Sequence, residues 1–254
     1  MVDRGSYVAA SGGMAQLEKL DIVTGNLANV NTVGFKQEVI ATEEQSFDDT
    51  LASLFAAEDP YARADQNRTP AVGSVETFTD FSQGPIRQTR KPLDVALRNE
   101  YDFFVVNSAG GAEYTRAGNF TLNAQGQLVT MDGEPVASDG GVIIANGANV
   151  GIQADGSVIV DGQTVGRLQV VRFQDTPQLE RVGNTRFKLV NGAPAPQAVP
   201  AEVVPESLEM PNVNVVSAMV ALIAANRGFE LYSKSQQSID SMNRIANDRI
   251  GKAG

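Results

Sequence analysis

From Pro211 to Gly254 the chain contains no further proline. Apolar residues recur there at helical spacing, at Val216, Met219, Ile223, Leu231, Ile239, Met242 and Ile245, with Val220 and Ala224 widening the stripe. Asn214 stands where an N-cap belongs. The pattern predicts one helix of roughly 35 residues, about 50 Å long at 1.5 Å per residue. A helix that long outruns an ordinary globular core and calls for coiled-coil-like packing. Arg227-Gly228 and the polar run Ser233–Ser238 interrupt the stripe, so it is not a strict leucine-zipper seam.

The opposite end carries a second stripe, at Tyr7, Ala10, Met14, Leu17, Leu20 or Val23, and Leu27. It predicts a helix over about residues 7–28, weakened by Gly12, Gly13 and Gly25, each roughly 1 kcal/mol less favourable than Ala in a helix interior. Asn29-Val30-Asn31-Thr32-Val33-Gly34 has the residues of a helix stop and turn. The two terminal helices are expected to pair with each other.

Between them the texture differs. Residues 37–91 read as an irregular connector with some strand content. Ser46–Phe55 could form a short helix there, and Tyr61–Gly73 a loop. From Leu93 to about Val204, short β-prone runs are punctuated by Asp-Gly at 132–133, 155–156 and 161–162 and by Asn-Ala-Gln-Gly at 123–126. Asp-Gly between apolar runs is a hairpin signal. Spacing of roughly 8–12 residues points to an antiparallel sandwich or partial barrel. The Pro- and Ala-rich stretch from Gly192 to Glu206 reads as an extended linker. The expected fold is therefore α+β: N- and C-terminal helices pair as a coiled-coil-like layer, beside a central, mostly antiparallel β domain. Its segments are 1–36 (helix and turn), 37–91 (connector), 92–205 (β domain) and 206–254 (long helix).

Composition removes several function classes. Lys and Arg number 20 against 30 Asp and Glu, a net charge of −10. A nucleic-acid binder needs a basic stripe to displace counterions, so nucleic acid is not an expected partner. Neither Cys nor His occurs. That excludes disulfides, thiolate nucleophiles and the Ser-His-Asp arrangement, together with the commonest metal ligands. No cofactor or metal is called for. No run of about 18 uncharged apolar residues occurs, so membrane insertion is not expected, and on these cues alone the chain would be cytoplasmic. Carboxylate chemistry survives the cut. An enzyme or carbohydrate-binding β domain, for instance one acting on peptidoglycan, would bring Asp94, Asp102 or Glu113 together at glycosidase spacing. Surface or turn roles account for these residues as well.

Motifs at both ends add a resemblance. Asn26-Leu27-Ala28-Asn29, then Thr32, then Gly34-Phe35-Lys36, resembles the N-terminal signature of bacterial flagellar rod and hook proteins. Pro211–Val216, Arg227-Gly228-Phe229-Glu230 and Ser233-Lys234 are similar to that family's C-terminal motifs, and Pro92–Leu97 and Tyr114–Phe120 fit its middle. Gly25 stands where the family usually has Asn, Val33 where Pro is frequent, and Gly228-Phe229 where Ala-Tyr is usual. Length and the Pro92–Leu97 segment look like the proximal rod type, with the distal rod type as the alternative. There is no room for the hook protein's inserted domain.

The resemblance implies a non-enzymatic subunit that polymerises helically with copies of itself and other rod proteins. The helices would form an inner layer and the β domain an outer one. Subunit contacts are expected at Leu17, Asn26, Leu27, Asn29, Thr32, Gly34, Phe35, Lys36, Asn212, Asn214, Met219, Ile223, Arg227, Phe229, Glu230, Leu231, Ile239 and Met242, with Phe35 and the connector against adjacent subunits. It also implies export through the flagellar type III apparatus without a cleaved signal peptide, into the basal-body rod crossing the periplasm. That replaces the cytoplasmic reading.

Overall fold

The structure, a computed structural model, describes residues 4–46, 70–174, 178–190 and 192–250. The helix and most of the loop expected within 46–69 lie outside the described residues. In chain order the elements are helix α1 (Arg4–Ala28), then strands β1 (Glu38–Ser46), β2 (Pro70–Thr79), β3 (Ile86–Gln88), β4 (Val95–Leu97), β5 (Asp102–Ser108) and β6 (Gly111–Thr115). There follow β7 (Thr121–Leu122), β8 (Leu128–Val129), β9 (Ala137–Ser138), β10 (Gly141–Val142), β11 (Val150–Ile152), β12 (Ser157–Val160) and β13 (Gln163–Arg167). The last are β14 (Val170–Arg172), β15 (Leu179–Val182), β16 (Arg186–Leu189), β17 (Gln197–Val199), β18 (Val203–Pro205), β19 (Ser207–Glu209) and helix α2 (Val215–Ile250).

These elements sort into two compact units. One holds residues 1–27, 38–78 and 215–254, the other residues 28–37 and 79–214. In the helical unit α1 and α2 run antiparallel, with Gly12 opposite Tyr232 and Gly228 opposite Gln16. Each helix thus offers a gap to a large side chain of the other. A Cβ on Gly12 would sit 2.3 Å from the Tyr232 ring, and one on Gly228 would sit 2.9 Å from the Gln16 amide oxygen. Close approach explains why Gly12, which weakens α1, stands inside it. A Cβ added at Gly25 would meet no atom within 4 Å outside the helix's own backbone. Gly25→Ala is therefore expected to raise the thermal midpoint of helicity through a gain of up to about 1 kcal/mol. Gly12→Ala is expected to lose that gain or reverse it, because Tyr232 must move. Far-UV circular dichroism melts of the two variants check this, and equal gains would refute it.

The helical unit also holds a two-stranded sheet of β1 and β2. Part of the expected loop, Pro70–Gly73, is strand here, paired in that ribbon. The unit's other feature is an apolar surface. Along α2, Val216, Met219, Val220, Ile223, Leu231, Met242 and Ile245 are all exposed. Within Val215–Ile245 the most apolar 18-residue window has a mean hydropathy of 1.3, enough by length and composition to cross a membrane, although charges at Arg227, Glu230, Lys234 and Asp240 interrupt the helix.

The β unit is built around a six-stranded antiparallel sheet in the order β15-β16-β6-β5-β14-β17. Alternation along β5 sets its two faces. Phe104 points into one cluster with Val95, Leu97, Phe120 and Leu128, and Phe103 and Val105 into another with Phe81, Tyr114, Phe173 and Phe187. The second cluster is aromatic, with Phe103 edge-on to Phe81 at 5.6 Å and to Phe173 at 5.4 Å. A three-stranded sheet, β11-β12-β13, closes the first cluster from outside. Its β12–β13 hairpin turns on Asp161-Gly162, both at positive φ (49° and 86°) between the paired Val160 and Gln163. That is the type I′ geometry which Asp-Gly favours.

One sequence expectation is corrected. The supposed linker 192–206 is woven into the unit, since β17 pairs with β14 and β18 with β4, and β19 then pairs with β3. Its prolines are accommodated because Pro194, Pro196 and Pro200 fall outside the strands and Pro205 is the last residue of β18. The turn after α1 is not an appendage of the helices either. Residues 28–37 belong to the β unit, so the compact units do not follow the linear segments 1–36, 37–91, 92–205 and 206–254.

Candidate functional site

The segment Asn29–Lys36 makes a turn whose side of the molecule is fixed by backbone groups. The Thr32 amide donates to the Asn29 carbonyl (3.0 Å), the Thr32 hydroxyl to Asn29 Oδ1 (3.1 Å), and the Phe35 amide to the Thr32 carbonyl (3.2 Å). Gly34 takes a left-handed conformation, φ 70°, and its amide donates to the Glu209 carbonyl at 2.9 Å. The chain is thereby laid against β19, and the next two side chains enter the β unit. Phe35 is buried under Arg181, whose guanidinium carbon stands 5.0 Å from the Phe35 ring centre and 5.2 Å from that of Phe187. Arg181 also donates to the Lys36 carbonyl at 2.6 Å.

Lys36 is fully buried and ends on Glu209. Its ammonium donates to Glu209 Oε1 (2.7 Å) and to the Ser82 carbonyl (2.6 Å). Arg116, equally buried, donates from Nε to Glu209 Oε2 at 2.8 Å, with its Nη2 2.6 Å from the same oxygen. Its Nη1 donates to the carbonyls of Asn99 and Asp102. The Gly84 amide donates to Glu209 Oε1 at 3.0 Å. One carboxylate thus neutralises part of two buried positive charges, and carbonyls accept from the Lys36 ammonium and from Arg116 Nη1. Burial holds the Lys36 ammonium below its ordinary pKa, while Glu209 opposes that shift.

A second node adjoins it. Asn212 Oδ1 accepts from the Gln37 amide (2.8 Å), and its Nδ2 donates to the Asp80 carbonyl (2.9 Å) and to Ser82. Gln37 Nε2 and the Ser82 amide donate to the Asp80 carboxylate. Burial raises the Asp80 pKa, but those bonds outweigh it and hold the group below its ordinary value. In the helical unit, Asn26 forms a two-bond clasp with the Glu38 backbone, Nδ2 to O at 2.8 Å and N to Oδ1 at 2.9 Å.

The residues expected at subunit contacts therefore separate into two sets. Asn26, Asn29, Thr32, Gly34, Phe35, Lys36 and Asn212 have partners within their own chain, and Phe35 and Lys36 are enclosed by it. Phe35, expected against a neighbour, is enclosed by its own chain because Gly34 steers the chain inward. Leu17, Met219, Ile223, Arg227, Glu230, Leu231 and Met242 are exposed on the helices, while Leu27, Phe229 and Ile239 are partly covered. Asn214 is exposed and occupies the N-cap position of α2. Sequence reasoning missed Glu209, Asp80, Arg181 and Tyr232. A lone acid between apolar Leu208 and Met210 was the available signal for Glu209.

Two of the carboxylates weighed for chemistry, Asp102 and Glu113, have other occupations. Asp102 is held by Arg172 through bonds of 2.6 and 3.0 Å, which raise the Arg172 pKa. Glu113 is 3.1 Å from Arg186. The β5–β6 register pairs Val106 with Glu113, so Asp102 lies four positions along β5, roughly 13 Å away. That exceeds glycosidase separations. Among the described residues no cluster of ligands fit for a metal occurs.

Three stretches match known families: residues 7–36 the flagella basal body rod protein family, 101–160 the flagellar hook protein FlgE/F/G D1 domain, and 204–249 the flagellar basal body rod FlgEFG protein C-terminal family. Along its length the chain is 33% identical to the flagellar basal-body rod protein FlgF of Caulobacter vibrioides, covering 99% of both. It is 35% identical to the FlgG rod protein of the same organism, over 92% of this chain and 94% of that one. It is 32% identical to the hook-basal body complex protein FlhO of Bacillus subtilis, over 98% and 99%. The chain belongs to the flagellar basal-body rod protein family, whose members are structural proteins and not enzymes.

Proposed function

We propose that this chain is an axial subunit of the proximal flagellar rod, polymerising helically through its two terminal helices with copies of itself and other rod proteins. The observation that carries this is the exposed apolar stripe of α2. Met219, Ile223, Leu231 and Met242 are 49–68% exposed in the free chain. Apolar area of that extent on one helix marks an interaction surface. Pairing with α1 alone leaves it open, and packing by neighbouring copies closes it. The charges that interrupt the stripe favour protein over lipid as the cover.

Contacts that do not close on themselves build a filament rather than a ring. Export by the flagellar type III apparatus and a place crossing the periplasm follow from the same reading, and the absence of Cys suits that oxidising compartment. The distal rod is the alternative position.

Assembly tests the reading. Sedimentation velocity and electron microscopy over rising concentration should show filaments or bundles. Met219→Asp combined with Leu231→Asp should raise the concentration required at least tenfold without changing the β content seen by circular dichroism. Unchanged assembly in that variant would refute helix-driven polymerisation. Rescue of a strain lacking its proximal rod protein, rather than one lacking the distal protein, would fix the position.

A further inference from the structure

Each terminal helix carries an outward face that the other leaves uncovered. On α2, Ala225 is buried and Gly228 and Tyr232 lie against α1, while the opposite side bears Val220, Arg227 and Leu231, all exposed. α1 buries Gly12 and Val23 and exposes Met14, Leu17, Glu18 and Asp21. Helical spacing makes each exposed set a single stripe. Among the described residues Glu18, Asp21 and Arg227 form no ion pair.

The two stripes match in one register. On α1 the apolar pair Met14 and Leu17 is followed, four residues on, by the acidic pair Glu18 and Asp21. On α2 the order is reversed, with the cation Arg227 four residues before the apolar Leu231. Laid antiparallel, a single alignment therefore seats Leu231 between Met14 and Leu17, and Arg227 between Glu18 and Asp21 about one turn away, as knobs seat in holes. It also brings Val220 opposite Gly25 and Ala28, where α1 carries little side chain, and leaves Glu230 beside Leu17 on the flank away from Glu18. The helix pair within the chain does not use this register, since Gly12 stands at the level of Tyr232 and Gln16 at that of Gly228.

We infer that the outward stripe of α2 docks antiparallel on the outward stripe of α1 of a second copy, with Arg227 held by Glu18 and Asp21. Complementary charge fixes the register of such a contact, and the exposed apolar side chains give it area. Its level differs from that of the intrachain pair by roughly two to three residues, so the neighbour is displaced along the helices by about 4 Å. Because the two stripes are different surfaces, the contact is heterologous and propagates. This inference rests on the assembly reading above and names the surface of the neighbour that covers α2.

Charge reversal in the full chain tests it. Arg227→Glu, and separately Glu18→Lys combined with Asp21→Lys, should each raise the concentration needed for assembly at least tenfold in sedimentation velocity, with helix content by circular dichroism unchanged. An equimolar mixture of the two variant chains should assemble near the wild-type concentration. In an alternating assembly the introduced glutamate meets the introduced lysines, and the unaltered Arg227 meets the unaltered Glu18 and Asp21. The chain has no cysteine, so Leu17→Cys combined with Leu231→Cys adds a single pair of thiols. Air oxidation of that assembled variant should give a ladder of disulfide-linked multimers on a non-reducing gel. Variants that assemble as the wild type does, a mixture that fails to recover, or a disulfide closed within the monomer would overturn this contact and leave helix-driven assembly standing. Failure of the wild type to assemble would overturn both.

Discussion

Glu209→Ala should lower the stability of the β unit by about 3–5 kcal/mol, the range seen when one partner of a buried ion pair is removed. Lys36 and Arg116 stay buried, at 0% exposure each, and lose the single carboxylate they share. The Gly84 amide loses its acceptor too. A domain of this kind has only about 5–15 kcal/mol in total, so the variant should unfold at a much lower urea concentration, with an unchanged slope. Lys36→Met is the informative comparison. It removes one cation, leaves the Arg116–Glu209 pair neutral, and keeps an apolar stem of similar length. Its loss should be clearly smaller. Equal losses would mean that Glu209 acts through its hydrogen bonds to backbone rather than through charge, and a loss under about 1 kcal/mol for Glu209→Ala would refute the triad's importance altogether.

That triad could not have been read from the sequence. Lys36 and Glu209 are 173 residues apart, and Arg116 and Glu209 are 93 apart. Nothing local in Gly34-Phe35-Lys36 announces that its lysine is internal. The helices were legible for the opposite reason, because a 3.6-residue period without proline is a local signal, and α2 extends as far as that period does. The Asp-Gly hairpins were legible through backbone chemistry, as at Asp161-Gly162. β15 was missed because Leu179–Val182 is only half covered and carries Glu180 and Arg181. The strands between 197 and 209 were hidden by the prolines around them, which mark a linker by composition; Pro194, Pro196 and Pro200 fall outside the strands and Pro205 ends β18. The turn Asn29–Lys36 was legible as a turn and as a family signature. Its role as an intrachain anchor required the long-range fold. The exposed half of the expected contact set came from the helical stripe, where sequence period and exposure coincide.

Gly34→Ala should be nearly as damaging as the loss of Glu209, for a steric reason. At φ 70° an L-residue carries the left-handed strain, roughly 1–2 kcal/mol. The larger part is collision. A Cβ on Gly34 would lie 2.4 Å from the Ala117 nitrogen and 2.6 Å from both the Ala117 Cα and the Arg116 carbonyl carbon. These are backbone atoms of the segment that carries Arg116 into the triad, so they cannot swing aside as a side-chain tip could. Overpacking of this sort adds about 1–3 kcal/mol, for a combined loss of about 3 kcal/mol or more. Gly183→Ala separates the two contributions. Gly183 has nearly the same conformation, φ 72°, with nothing within 4 Å of the added methyl. It should show the conformational strain alone. Urea unfolding of both variants decides the matter: if Gly34→Ala is no worse than Gly183→Ala, then the turn yields under the methyl, and the close approach of residues 34 and 117 is not what seats Phe35 and Lys36 in the β unit.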